Sequence, residues 1–170
     1  MRRKSMIGIQ LDGNVGAVAA WRESGPEVIG KGSSVAELVA LATSQGEDCR
    51  SGVVAVPARY NDEERRKILA QAKAAGISTV LIMNEPTAAT FAYGASQAAL
   101  PGTSMVLNLA SSGAFDVSLL AENGSGVEVL SANGIANIED QSPDQFFAAI
   151  EPVVNRALSD ARLRPARWRY

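Results

Sequence analysis

A chain of 170 residues with 16 Lys and Arg against 18 Asp and Glu, 46% hydrophobic side chains, one cysteine and no histidine reads as a globular protein with room for one sizeable core or two small lobes. The missing histidines exclude Ser-His and Cys-His nucleophile pairs, imidazole metal ligands and a histidine acid or base; Cys49 alone excludes an internal disulfide and fits the cytoplasm or another reducing compartment. No apolar run approaches the roughly 20 residues of a membrane span, and the basic start MRRK leaves only Ser5 before a predicted strand, too little for a signal or transit peptide.

Residues 6–11, 15–21 and 27–30 predict three short strands, the first two joined by the hairpin turn Asp12-Gly13-Asn14. Ser34 with Glu37 predicts a capping box opening a helix to Ser44. The continuous apolar run SGVVAVP predicts a strand buried on both faces. Asp62 is the expected cap of a helix to Ala75, with Glu63 four residues before Lys67 and Gly76 as its stop. STVLIM predicts another buried strand, and NEPTAATFAYG a helix with Pro86 in its first turn and Gly94 after its end. Strands near 104–109, 114–121 and 127–132 follow, then a helical region from Ser142-Pro143 to Ala161 that Pro152 should kink or divide.

The second half repeats the first. Shifted by 98 positions, IGIQLDGNVGA lies over MVLNLASSGAF, pairing Ile9 with Leu107 and Gln10 with Asn108. Either hairpin alone is a common sheet corner. Two of them facing one another would clamp a polyphosphate with backbone N–H groups, and the βββαβα order points to a duplicated α/β fold.

VVAVPARYNDEERRKI, LIMNEPTAATFAYG, VLNLASSGAFDVSLL and GVEVLSANG resemble the nucleotide-binding domain of the DnaK-type, seventy-kilodalton heat-shock chaperones of the actin-like ATPase superfamily. The resemblance implies a reduced ribonuclease-H-like α/β fold with one near-complete half and one truncated half: a first lobe over 1–97, a shorter second lobe over 98–161 and a basic aromatic tail over 162–170. It also implies deletions. Only about 45 residues separate the first hairpin from the VPA strand, where the family inserts an upper lobe and its phosphate-positioning lysine. A second gap falls after Asp140, and the strand closing the nucleotide pocket is expected beyond Tyr170.

By resemblance, the nucleotide-binding positions, if retained, are Gly13, Asn14, Glu85, Ser111, Ser112, Gly113 and Asp116. Glu85 matches the carboxylate that orients metal-bound water, and Asp116 an acid near the phosphates. Gln10 and Asn108 stand where the family carries metal-orienting aspartates, Asp12 replaces a loop glycine, and Ala114 sits at an expected threonine. Neutral amides give a magnesium–phosphate complex far less electrostatic help, and phosphoryl transfer depends almost wholly on positioning and charge neutralisation. The expectation is no catalytic residue, no resident metal and no required cofactor, with ATP and magnesium as weak ligands at most.

Pro57, Arg65 and Pro86 resemble the relay that couples nucleotide state between lobes; the blander alternative, that Pro57 ends a strand and Arg65 is a solvated helix residue, weighs more. Phe91 and Tyr93 are expected in the core. RLRPARWRY holds four arginines and no acid, leaving 12 basic against 18 acidic side chains in the first 161 residues. Arg164, Arg167, Trp168, Arg169 and Tyr170 are therefore candidates for contacting a protein partner, RNA or an anionic surface, with a frayed terminus as the alternative. SMVLNL, apolar on both faces without lysine or proline, is a candidate open sheet edge and predicts a homodimer or a heteromeric complex. The functional expectation is a non-catalytic chaperone-like interaction, regulatory or structural subunit, associated with a chaperone, ribosome or other assembly; the alternative is an ATP-binding chaperone-type protein with weak or no hydrolysis.

Overall fold

A computed structural model describes residues 6–96, 102–110, 113–122, 126–138 and 142–164, the side chains of 93–96 excepted. In chain order the elements are β1 (Ile7–Asp12), β2 (Val15–Arg22), β3 (Gly25–Gly32), α1 (Val35–Ser44), β4 (Ser51–Val56), α2 (Asp62–Ala74), β5 (Thr79–Asn84), α3 (Glu85–Ser96), β6 (Gly102–Leu109), β7 (Phe115–Glu122), β8 (Val127–Ile135) and α4 (Pro143–Asp160). Two compact units, Met1–Glu85 and Pro86–Tyr170, divide the chain at the start of α3.

The first unit is built on a sheet of order β3-β2-β1-β4-β5. β1 runs antiparallel to β2 and parallel to β4, and β4 runs parallel to β5. Alternation along β1 sends Ile7, Ile9 and Leu11 to one face. There they join Val18, Val54 and Val56, with Val35, Leu38, Val39 and Ala42 of α1 and Ile68 and Ala72 of α2, in one core. Between β1 and β2, Gly13 holds φ +59° while Asn14 stays at negative φ, the arrangement of a II′ hairpin turn, whose first central position favours glycine.

α1 opens on the expected Ser34 cap, but its return bond and the cap of α2 each fall one residue upstream of the sequence reading. Ser34 caps α1 and accepts from the Glu37 N–H at 3.2 Å, but the Glu37 carboxylate accepts from the N–H and hydroxyl of Ser33, at 2.8 and 2.9 Å, so the return bond lands one residue upstream. At α2 the cap is Asn61 rather than Asp62. Its side chain accepts from the N–H groups of Glu63 and Glu64, and Glu64 accepts in return from the Asn61 N–H at 2.8 Å. Glu63 and Lys67 do meet, at 2.7 Å, on the exposed face. The Ser33 bonds hold the Glu37 carboxyl below its ordinary value of 4.5. A carboxyl lower in the folded than in the unfolded chain stabilises fully above the unfolded value and loses that contribution as pH falls through the folded one. Glu37→Gln should therefore flatten the acid limb of a urea-midpoint profile taken downward from pH 4.5; an unaltered limb would contradict it.

β5 is not doubly buried as STVLIM suggested. It is the sheet's edge, with Val80 and Ile82 against the core while Leu81 is 58% exposed. Gly94 lies inside α3 rather than after it.

In the second unit β6, β7 and β8 form an antiparallel meander with β7 in the middle. Phe115, Val117 and Leu119 of β7 pack with Ile138 and with Val153 and Ala157 of α4. The Ser131 hydroxyl donates to the Ala157 carbonyl at 2.7 Å, tying β8 to the helix. α4 opens on the Ser142 cap with a reciprocal bond to Gln145 and continues unbroken through Pro152. Pro152 and Ala148, whose carbonyl loses its helical donor, are both exposed, so water can take that bond. The internal repeat extends to a detail: each meander carries a one-residue bulge on its third strand, at Ile29 opposite Val18/Ala19 and at Leu130 opposite Leu119/Leu120.

Candidate functional site

In open sheets with parallel strands, ligands sit beyond the carboxyl ends of those strands. In the first unit the carboxyl ends of β1, β4 and β5 lie side by side, since Gln10 pairs with Ala55 and Val56 with Asn84. This end collects Gln10 and Asp12 of β1, Gly13 and Asn14 of the turn, Arg59 and Tyr60 just after β4, and Glu85 just after β5.

Their polar groups are engaged with one another. Gln10 Nε2 donates to Glu85 Oε1 at 2.7 Å, and both residues are half-buried. The Arg59 guanidinium meets the Asp12 carboxylate at 2.6 Å, with the two side chains 25% and 14% exposed. Gly13 N–H donates to the Tyr60 hydroxyl at 3.3 Å, while Arg59 sits 5.8 Å from the Tyr60 ring centroid. Asn14 is exposed. Asp12 and Glu85 thus each hold a partner, a guanidinium and an amide. Among the described residues no three His, Cys, Asp or Glu converge in a metal-binding group. Arg59 and Tyr60 escaped the sequence reading; the signal was their position after VVAVP, but only the parallel pairing of β4 with β1 carries them to the Asp12-Gly13 turn.

In the second unit Asn108, Asp116 and Gly134 lie opposite one another across three strands. Asp116 is 3% exposed. It fits because Gly134 has no side chain: a Cβ there would stand 2.5 Å from Asp116 Oδ1 and 2.9 Å from the Phe115 carbonyl. Gly113 is buried at φ +77°, and its N–H donates to the Ala110 carbonyl at 2.9 Å. Ser111 and Ser112 lie outside the described residues.

Pro57 is fully buried at the end of β4, and its carbonyl accepts from Tyr60 N–H at 3.1 Å. Arg65 is not the solvated helix residue of the blander reading. Its guanidinium donates to the carbonyls of Tyr60 and Ala58, at 2.9 and 3.3 Å, and so fastens the 58–60 segment to α2. Pro86 is buried in the first turn of α3. Phe91 is 49% exposed rather than in the core, because α3 carries apolar residues on more than one side; the Tyr93 side chain lies outside the described residues. Arg164 is exposed beyond α4, and Arg167, Trp168, Arg169 and Tyr170 lie outside the described residues. No helix among the described residues is long and apolar enough to cross a membrane.

The family model "Hsp70 protein" matches residues 34–150. Curated relatives include the chaperone protein dnaK of Trieres chinensis, 40% identical over 74% of this chain and 20% of its own length. The chaperone protein HscA homolog of Bordetella petrii is 37% identical over 71% of this chain and 19% of its own. The heat shock 70 kDa protein BIP3 of Oryza sativa subsp. japonica is 39% identical over 59% and 15%. The chain therefore spans at most a fifth of the length of these relatives. With a sheet of order β3-β2-β1-β4-β5, a repeated meander and a family match over most of its length, the chain belongs to the Hsp70 family and has the α/β fold of its actin-like nucleotide-binding domain.

Proposed function

We propose that the chain is a non-catalytic member of the Hsp70 family that acts through protein contacts, as a regulatory or structural subunit. The observation that carries this reading is the hydrogen bond from Gln10 to Glu85, 2.7 Å long, at the carboxyl end of the parallel strands. An amide at position 10 supplies a donor where a magnesium–phosphate complex needs negative charge, and it engages the neighbouring carboxylate itself. The ion pair of Asp12 with Arg59 supports the same reading, since it engages the guanidinium beside the Gly13 turn with a carboxylate of the chain itself, where a phosphate would need that cation.

The purified chain is expected to show no magnesium-dependent ATP turnover above buffer. Calorimetry with ATP and magnesium should give a dissociation constant of about millimolar or weaker. A turnover that disappears in Glu85→Gln, or micromolar affinity, would favour the ATP-binding chaperone reading instead. Co-purification from the native source, followed by identification of what is retained, would name the partner.

A further inference from the structure

Edge strands are ordinarily guarded by charge, proline or a bulge. β3 carries Pro26, Glu27, Lys31 and the bulge at Ile29, and β8 carries Glu128 and the bulge at Leu130. β6 has none of these: GTSMVLNL holds no ionisable side chain, no proline and no bulge, and among the described residues it pairs with β7 alone.

The ladder fixes which backbone groups point outward. Ala110 N–H donates to the Ala114 carbonyl at 2.8 Å, and the register continues without a break to Gly102. In an antiparallel ladder bonded pairs alternate with non-bonded ones. Ser104, Val106 and Asn108 therefore bond to β7, and Thr103, Met105, Leu107 and Leu109 turn their N–H and C=O groups to the open side. Of these, Met105, Leu107 and Leu109 pair with Leu119, Val117 and Phe115, whose side chains form the α4 core. α4 packs over β7 and β8 and leaves this row uncovered, with Met105, Leu107 and Leu109 37%, 54% and 59% exposed.

We propose that β6 is a self-pairing strand and that a second copy of this chain completes the sheet through it. A two-fold axis at Val106 sets Met105 opposite Leu107 of the second copy and Thr103 opposite Leu109. All are odd-numbered, so every outward donor on the strand meets an outward acceptor. The apolar rows of the two copies merge on the faces bearing the two α4 helices. With no charge on the strand, nothing repels an identical copy and nothing recruits an acidic or basic partner. The other uncharged edge, β5, is the weaker candidate: α2 covers its inner row, and Leu81 is its one large, strongly exposed apolar residue among those described. This proposal stands apart from the nucleotide question, since β6 pairing involves none of Gln10, Asp12 or Glu85.

Sedimentation of the full chain over a wide concentration range, combined with amide exchange, tests it. The expected result is a monomer–dimer equilibrium in which the Met105 and Leu107 amides gain protection as concentration rises, while Val106 and Asn108 stay protected throughout. Leu107→Lys should weaken the dimer about a hundredfold or more, through the lost burial of two leucines, with Val106 protection retained as proof of folding. Leu81→Lys should leave the dimer intact. A monomer at all concentrations, a dimer indifferent to Leu107→Lys or abolished by Leu81→Lys, or assemblies larger than two would each overturn the proposal. A monomer with Met105 and Leu107 already protected would show that the chain's own segment occupies the edge.

Discussion

Leu38→Ala is expected to lower the unfolding free energy of the first unit by about 3 kcal/mol. Leu38 is fully buried on the inner face of α1, between the β1 row of Ile7, Ile9 and Leu11 and the helix neighbours Val35 and Ala42. Truncation there removes the transfer energy of the side chain and leaves a cavity that α1 cannot close without giving up contacts on both sides. For a unit of this size the loss corresponds to roughly 12–24 °C in melting temperature. Leu81→Ala, on the exposed side of β5, should change stability by no more than about 0.5 kcal/mol. Thermal and urea melts of the two variants beside the parent check the pair; comparable losses at both positions would mean that α1 is not the cover of this core.

The second large effect concerns position 10. Gln10→Asp should destabilise the chain by about 2–3 kcal/mol in metal-free buffer, because a carboxylate replaces the amide that donates to Glu85 and sets two like charges against each other. A divalent cation can hold two carboxylates together, so millimolar magnesium or manganese should recover most of that loss by binding the folded form. The parent should melt at the same temperature with and without the cation. Differential scanning calorimetry decides: a loss in Gln10→Asp that ignores added metal would show that positions 10 and 85 cannot share a cation, and a parent already stabilised by magnesium would undercut the proposed function.

Much of this was legible in the residues. Alternating and continuous apolar runs located the eight strands among the described residues, and the repeat at a shift of 98 positions announced the two meanders. Boundaries were less legible where neighbours are chemically alike: Asn61 and Asp62 can both cap a helix, and only the bonds to the Glu63 and Glu64 N–H groups decide between them. Burial of an apolar run depends on its place in the sheet, which no local pattern records, and so β5 looks internal in sequence while lying at an edge. The site divides in the same way. Gln10, Asp12 and Glu85 were found as motif positions, whereas the pairing of Asp12 with Arg59 is a product of strand order.

That strand order also sets a timetable. β1, β2 and β3 form a meander of near neighbours, but the other side of β1 is completed only by β4, where Gly8 meets Val53, 45 positions later. At a synthesis rate of about 5–20 residues per second, β1 waits about 2–9 s for β4, and β5 follows to finish the sheet. α1 is made before β4, and from then until β4 arrives it is the shelter of Ile7, Ile9 and Leu11 from water. The nascent chain's exposure to misassociation is thus governed by how promptly Val35, Leu38, Val39 and Ala42 settle onto β1. In the second unit β6, β7, β8 and α4 follow one another directly in chain and in contact, and they impose no such delay.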